Sequence, residues 1–448
     1  MLHVRQQRLV LGLILLLVFG VLALTGCGGG ATTTTAATAP AETTSTAPGE
    51  ATTTSQAAAT GEPIKIGLIA DNTGSLAHYG HSHEVVAKAA VAKINAEGGI
   101  AGRPVELLVE DTESQPTTAA VKARKLVESN RVDFLLGTNH AGVAMAVAPV
   151  AKELKTVYFA TSSGVGLRLP GNGSRFVFQL PSDTKQETRA AAQYAVNTLN
   201  LKNWVTAVAD YAWGWDSETA FEEQIQEAGG TLLKKIRVPV GTSDWLKYLQ
   251  GIPDETEGVF FANFGPDFLS FVRDVRVVNP KLTLFGQNYV LTGIDVSKLG
   301  ADAEGMYVVT AFPQVEDQNT TEFQKQYRSA IGVDANGVET ATGKMLAMSF
   351  AWATWESLYT IKEVIEDSGW ASKADYAKFI EALEGRTLKE GLSHPEGTKQ
   401  VRAEDHGSIK GMFIEQIKDG KVNVVTRFEP DALTWPPLKN MPQEEPLS

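Results

Sequence analysis

From Pro63 onward, short apolar runs alternate with longer amphipathic stretches, and this rhythm constrains the fold more than any other feature of the chain. Residues 64–70 read as a buried strand, 80–97 as a helix closed by Gly98-Gly99, and 105–110 as a strand. A helix over 117–128 and a strand over 132–136 follow, then a helix over 141–154 despite Pro149, and a strand over 157–160. Parallel strands need long crossovers, and helices of this length supply them. The expected class is therefore α/β, a parallel sheet with helices on both faces. The rhythm restarts after Pro181. Helices are expected at 184–199, 216–228, 244–249 and 266–277, and strands at 204–209, 231–238, 258–262, 282–286 and 305–310. Long helices at 321–330, 342–368 and 372–383 precede strands at 409–416 and 422–428, and the Pro-rich end is expected to be loose. The outcome is two doubly wound parallel-sheet halves, one after the other.

In such sheets ligands sit outside the carboxyl ends of the strands, so the loops there carry the function. The first half offers Asn72-Thr73-Gly74-Ser75 with Tyr79, then Thr138-Asn139-His140, then Thr161-Ser162-Ser163-Gly164. The second half offers Asp210-Tyr211-Ala212-Trp213-Gly214-Trp215, Asn263-Phe264-Gly265 and Gln287-Asn288-Tyr289. One half thus supplies small hydroxyls, amides and backbone N–H groups suited to a polar head, and the other supplies aromatic surface. A few fixed polar groups with aromatic walls describe a small-molecule binding site.

Catalytic and cofactor signatures are missing. Gly343-Lys344 is followed by Met345, which breaks a phosphate-binding loop, Gly171-Asn172-Gly173 lacks the third spaced glycine of a dinucleotide site, and no serine stands in a G-x-S-x-G elbow. His78, His81 and His83 stand at spacings that fan over a helix instead of converging on a metal. No enzymatic activity, cofactor or metal is expected. With 40 Lys+Arg against 52 Asp+Glu the formal charge is −12, which argues against a nucleic-acid partner.

The N-terminus carries Arg5 and Arg8 ahead of an apolar stretch over 9–25, short for a membrane span and ending in small residues as an export signal does. Its end, Leu24-Thr25-Gly26-Cys27, resembles a bacterial lipobox, in which the cysteine is lipidated and becomes the mature N-terminus. Cys27 is the chain's one cysteine. Residues 31–61 hold 12 Thr and 10 Ala, too little apolar surface to offset chain entropy, and read as a tether.

Several motifs then fall together: Ile64-Lys65-Ile66-Gly67, Thr73-Gly74, Tyr79-Gly80, the stretch 94–102 reading INAEGGIAG, Asp210-Tyr211-Ala212-Trp213-Gly214, Gly305-Met306 and Arg402-Ala403-Glu404-Asp405-His406. In these the chain, over about residues 62–430, resembles the leucine/isoleucine/valine-binding family of solute-binding proteins, which have the type I periplasmic-binding-protein fold. The resemblance implies two lobes joined by three crossovers, near 179–181, 311–313 and 385–392, that close on a ligand. It divides the chain into a signal peptide (1–26), the lipidated cysteine and tether (27–62), lobe one (63–180 and 313–388), lobe two (181–312 and 389–432) and a Pro-rich tail (433–448). It implies a monomer, anchored by lipid outside the cytoplasm, that delivers a small solute to the membrane permease of an ABC importer. Carried over by position, Tyr79 covers the ligand, Ser162 and Ser163 hold its polar head, and Trp213 and Phe264 are lobe-two aromatics. Two positions depart. The family's serine after the third strand is Ala141 here, preceded by Asn139 and His140, and the acid that meets a substrate ammonium is replaced by Asn288. A neutral amide provides no counter-charge, which favours an aromatic or other carboxylate, or an amide, over a branched-chain amino acid. Two readings compete: branched-chain amino acid capture for the same kind of importer, and a ligand-sensing module for a membrane receptor.

Overall fold

A computed structural model describes residues 59–447; the export signal, Cys27 and most of the tether lie outside the described residues. Five strands build the first sheet: β1 (Ile64–Ala70), β2 (Val105–Asp111), β3 (Phe134–Gly137), β4 (Val157–Ala160) and β5 (Val177–Gln179), in the order β2-β1-β3-β4-β5, all parallel. Its helices are α1 (Ala77–Ala96), α2 (Pro116–Glu128) and α3 (Ala141–Glu153). β1 is an interior strand and almost wholly buried, as a strand covered by helices on both faces must be. β5 is too short, and too close to the loop before it, to show in the apolar rhythm.

The second sheet repeats the plan. After α4 (Thr184–Gln193) come β6 (Asn203–Ala209), α5 (Ala212–Glu227), β7 (Thr231–Val238), α6 (Leu246–Leu249), β8 (Gly258–Ala262), α7 (Gly265–Val278), β9 (Thr283–Gly286) and β10 (Tyr307–Thr310). Their order β7-β6-β8-β9-β10 is the same winding, second strand outside the first and third inside. Each sheet therefore has one switch point, between β1 and β3 and between β6 and β8, where neighbouring loops leave in opposite directions and open a crevice.

The chain then returns to the first lobe through α8 (Glu322–Ala330), α9 (Met348–Ser368) and α10 (Tyr376–Leu383). α9 is shorter than its expected span of 342–368. Residues 342–347 instead form a turn and bridge, in which Leu346 N–H bonds the Gly337 carbonyl at 2.9 Å. The passage back to lobe two is itself folded: β11 (Thr387–Leu388), β12 (Lys399–Val401) and β13 (Ser408–Ile409) make a small antiparallel sheet. β14 (Met412–Lys418) and β15 (Lys421–Phe428) complete the second sheet as antiparallel strands beside β10.

Where the crossovers run side by side they are tied by buried polar groups. Gly407 bridges Gln179, and Ser408 Oγ and Lys410 Nζ both donate to the Leu180 carbonyl. Arg168, 1% exposed, donates to Gln179 Oε1 at 2.8 Å, to Asp405 at 3.0 Å and to Asp183. Beside them Lys399 reaches Glu356 at 2.7 Å and Glu396 at 3.1 Å, all three buried.

The Pro-rich end is not loose. Leu433 and Trp435 are buried, the Trp435 ring lies 4.2 Å from the Arg402 guanidinium and 5.1 Å from that of Arg168, and Arg402 Nη1 donates to the Trp435 carbonyl at 2.7 Å. A last helical turn, α11 (Met441–Glu444), brings Glu445 to Ser174 Oγ at 3.2 Å and the Arg175 N–H at 3.0 Å in lobe one. Proline density marked this segment as irregular, which it is, but irregular chain with buried side chains is held in place by its packing.

Candidate functional site

Each switch point places an aromatic–glycine pair in the first turn of the helix that follows: Tyr79-Gly80 in α1 and Trp213-Gly214 in α5. Both glycines are demanded by close approach. A Cβ on Gly80 would stand 2.2 Å from the Asp71 carbonyl oxygen, and one on Gly214 1.9 Å from that of Ala209. The helix starts press onto the strand ends, and the two aromatics meet in one narrow cavity between the lobes. Leu76 and Asn139 of lobe one, Phe350 of α9, and Tyr211, Phe264 and Tyr289 of lobe two complete its lining.

The rings form a continuous set across the cleft. Tyr79 meets Phe264 edge-on at 6.4 Å and Phe350 at 5.5 Å; Tyr211 lies 6.0 Å from Phe264 and 6.1 Å from Trp213; Tyr289 stacks on Phe350. The edge-on separations are those of attractive aromatic contacts. Polar capacity is sparse: Asn139 Oδ1, Trp213 Nε1 and the Tyr289 hydroxyl are buried without a hydrogen-bond partner among the described residues.

Of the residues expected at the site, Tyr79, Asn139, Trp213 and Phe264 line this cavity. Ser162 and Ser163 lie just outside it, fully buried, with their main chain tied to the first crossover. Gln179 Nε2 donates to the Ser162 carbonyl at 2.6 Å, and Thr184 N–H to the Ser163 carbonyl at 3.1 Å. The Ser162 hydroxyl has no partner among the described residues. His140 caps α3, its Nδ1 accepting from Val143 N–H at 3.2 Å, and its ring touches Tyr211 edge-on at 5.5 Å. Burial lowers its pKa, so the imidazole is neutral and acts as a helix cap and a wall.

Asn288 is fully buried and faces an acid. Its Nδ2 donates to Glu187 Oε1 at 2.9 Å, Ser182 Oγ donates to the same oxygen at 2.7 Å, and Gln287 Nε2 donates to Glu187 Oε2 at 2.8 Å. Burial pushes the Glu187 carboxyl up to about 8. Sequence reasoning missed Glu187 because a glutamate in a helix's first turn ordinarily faces water and complements the helix dipole. It also left out Tyr211 and Tyr289, although their loops had been singled out. Phe350 comes from the return through lobe one, and no local pattern marks it. Among the described residues no three His, Cys, Asp or Glu side chains converge as a metal site.

The family model described as periplasmic binding protein matches residues 63–421. The chain belongs to the periplasmic binding protein family. Its α/β lobes have the type I fold of that family. Among curated relatives, Leu/Ile/Val-binding protein homolog 6 of Brucella melitensis is 27% identical over 376 residues, 81% of this chain and 89% of its own length. Among solved structures, a solute-binding protein of an ABC transporter from R. palustris in complex with benzoate superposes with a TM-score of 0.70 at 21% identity, over 82% of this chain and 97% of that one. The substrate-binding protein LivJ of Streptococcus pneumoniae, in complex with isoleucine, gives 0.68 at 20% identity, over 82% and 100%. These two share the fold. No helix among the described residues is long and apolar enough to cross a membrane.

Proposed function

We propose that this periplasmic binding protein is the solute-capturing component of an ABC importer, lipid-anchored at Cys27 outside the cytoplasm, and that its solute is a small aromatic carboxylate. The observation that carries the ligand class is the lining: six aromatic rings, one leucine and one amide, with no charged side chain. An aromatic body fills such a cage, and its carboxylate brings acceptors to donors that lack them on the lining, the Trp213 Nε1 and the Tyr289 hydroxyl. A carboxylate and an ammonium each lose hydration here at a cost of several kcal/mol if unpaired; the carboxylate recovers part of it from those donors, whereas an ammonium finds no carboxylate in the lining. Closure stabilised by contacts made to both lobes at once is the signal that a membrane permease would read, with the protein acting as a monomer. The benzoate bound by the R. palustris neighbour is of the class proposed.

A branched-chain amino acid is the second reading. It is favoured by the Glu187 carboxyl beside Asn288, and by the Leu/Ile/Val-binding names of the curated relatives. Thermal-shift titration with benzoate, 4-hydroxybenzoate, leucine and valine separates the two. A ligand at 100 times its Kd stabilises the folded form by about 2.7 kcal/mol, a shift of several degrees. Aromatic acids are expected to raise Tm and leucine to leave it unchanged; the reverse overturns the ligand class.

A further inference from the structure

The narrow cavity is filled by the rings that line it. Its six aromatics touch in one continuous set, so a further ring enters only if one of them yields. Five of the six are held by helices. Tyr79, Trp213 and Phe350 stand in the first turns of α1, α5 and α9, and Tyr211 and Phe264 are the residues from which α5 and α7 start. Tyr289 alone stands in a turn, the one that follows β9.

Three costs gather at Tyr289. Its φ is +82°, a left-handed conformation rare for a bulky side chain, and it is the one lining residue with a positive φ. Its ring lies face to face on Phe350, 3.3 Å between centroids and 12° from parallel, a stack less favoured than edge-on or offset pairs. Its hydroxyl is buried without a partner among the described residues. Backbone strain persists only where the surroundings hold it, and it collects at ligand clamps and switches. Lobe one does the holding here. The Tyr79 hydroxyl donates to the Tyr289 carbonyl at 3.5 Å, and at Gly293, where the turn ends with φ +72°, a Cβ would stand 1.7 Å from His78 Nε2. Both contacts cross the cleft and part when the lobes part.

We propose that Tyr289 is a displaceable occupant of the cleft: its ring takes the place on Phe350 that a ligand's ring would take, and it swings aside on the turn 289–293 to let a ligand in. Gln287 and Asn288, both tied to Glu187, anchor the turn at one end, and Gly293 is its hinge at the other. Opening of the lobes frees the turn from Tyr79 and His78, the strained backbone relaxes, and the ring leaves. Swung aside, it still walls the cavity, and its hydroxyl is free to meet a carboxylate. A solute with a ring restores the stack on Phe350 that Tyr289 gives up, which an aliphatic solute does not. The gate agrees with the aromatic-acid reading but governs entry of any solute.

Stopped-flow tryptophan fluorescence of the full chain, mixed with excess benzoate or leucine, reads the rate of entry. Minor conformations of this kind are populated at about 0.1–10%, and association is slowed by that fraction. Entry is expected to speed up from Tyr289→Phe through Tyr289→Leu to Tyr289→Gly, the last by about tenfold or more over wild type. Glycine adopts this φ without strain, so Tyr289→Gly keeps the turn. Should it nevertheless fail to fold, Tyr289→Leu carries the test, with faster entry again expected. The rate is the readout because each of these variants also alters a wall of the cavity, and a merely structural role for the ring would weaken binding without speeding entry. Entry no faster in any folded variant overturns the gate and leaves the aromatic-acid reading intact. Binding of leucine in place of benzoate refutes that reading, and the same rates measured with leucine still decide the gate. Binding of neither solute to any of these proteins overturns both.

Discussion

Trp435→Ala tests whether the C-terminal segment is part of the fold. The indole is 5% exposed and lies over two guanidinium groups that belong to the crossover network. A tryptophan of this kind buries about 200 Å², worth roughly 5 kcal/mol at 25 cal/mol per Å², and this is an upper bound because unfolded chains already bury part of it. Stacking on Arg402 adds about 1 kcal/mol. The hydrogen bond from Arg402 runs to the main-chain carbonyl and survives the substitution. A segment near the chain end can lift away locally and limit the damage, so the expected loss is about 3 kcal/mol, the low end for burial-to-alanine changes of this size. In urea, with m at or above about 3 kcal/mol/M for a chain of this length, the midpoint by circular dichroism falls by up to about 1 M. Amide exchange at Gly173–Arg175, where the segment docks through Glu445, should rise in parallel. A midpoint within about 0.2 M of wild type, with exchange unchanged, would refute the claim that this segment is part of the fold.

Trp213→Ala opens the cage on the lobe-two side and leaves its hydrogen-bond donor missing; the benzoate Kd is expected to rise at least about tenfold by calorimetry, as for an aromatic hot spot. Lys399→Met leaves Glu356 and Glu396 facing each other in the interior, and thermal unfolding should report a loss of about 3–5 kcal/mol. His83 is buried against Thr354 Oγ1 at 2.6 Å, and burial lowers its pKa to about 4 from 6.5. The unfolded chain therefore takes up that proton first, and stability falls as pH drops from 6.5 to 4, by about 3 kcal/mol in all. His83→Gln should remove that part of the acid slope in urea melts recorded from pH 7 to pH 4.

Much of the site was legible because it belongs to the winding of the sheets. Tyr79, Asn139, Trp213 and Phe264 each stand within a few residues of a strand's carboxyl end, and loops at a switch point have to face the crevice. Tyr211 and Tyr289 carry the same local signal and were passed over. Phe350 carries none: it reaches the cavity only because α9 returns through lobe one and lays its first turn beside α1.

Strand and helix rhythm, the loops at the strands' carboxyl ends and the aromatic character of lobe two's loops were determined by sequence alone, since periodicity and local sterics need only a few neighbouring residues. Partners far apart along the chain were decided by tertiary structure. Asn288 by itself is a neutral amide where the family's acid would stand; beside Glu187, 101 residues away in sequence, it becomes one half of a buried acid–amide pair. Trp435 in a proline-rich tail looks unpacked until Arg402 and Arg168 are brought beneath it. Burial and charge pairing are properties of assembled surfaces, and a window short enough to show a helix or a strand does not contain them.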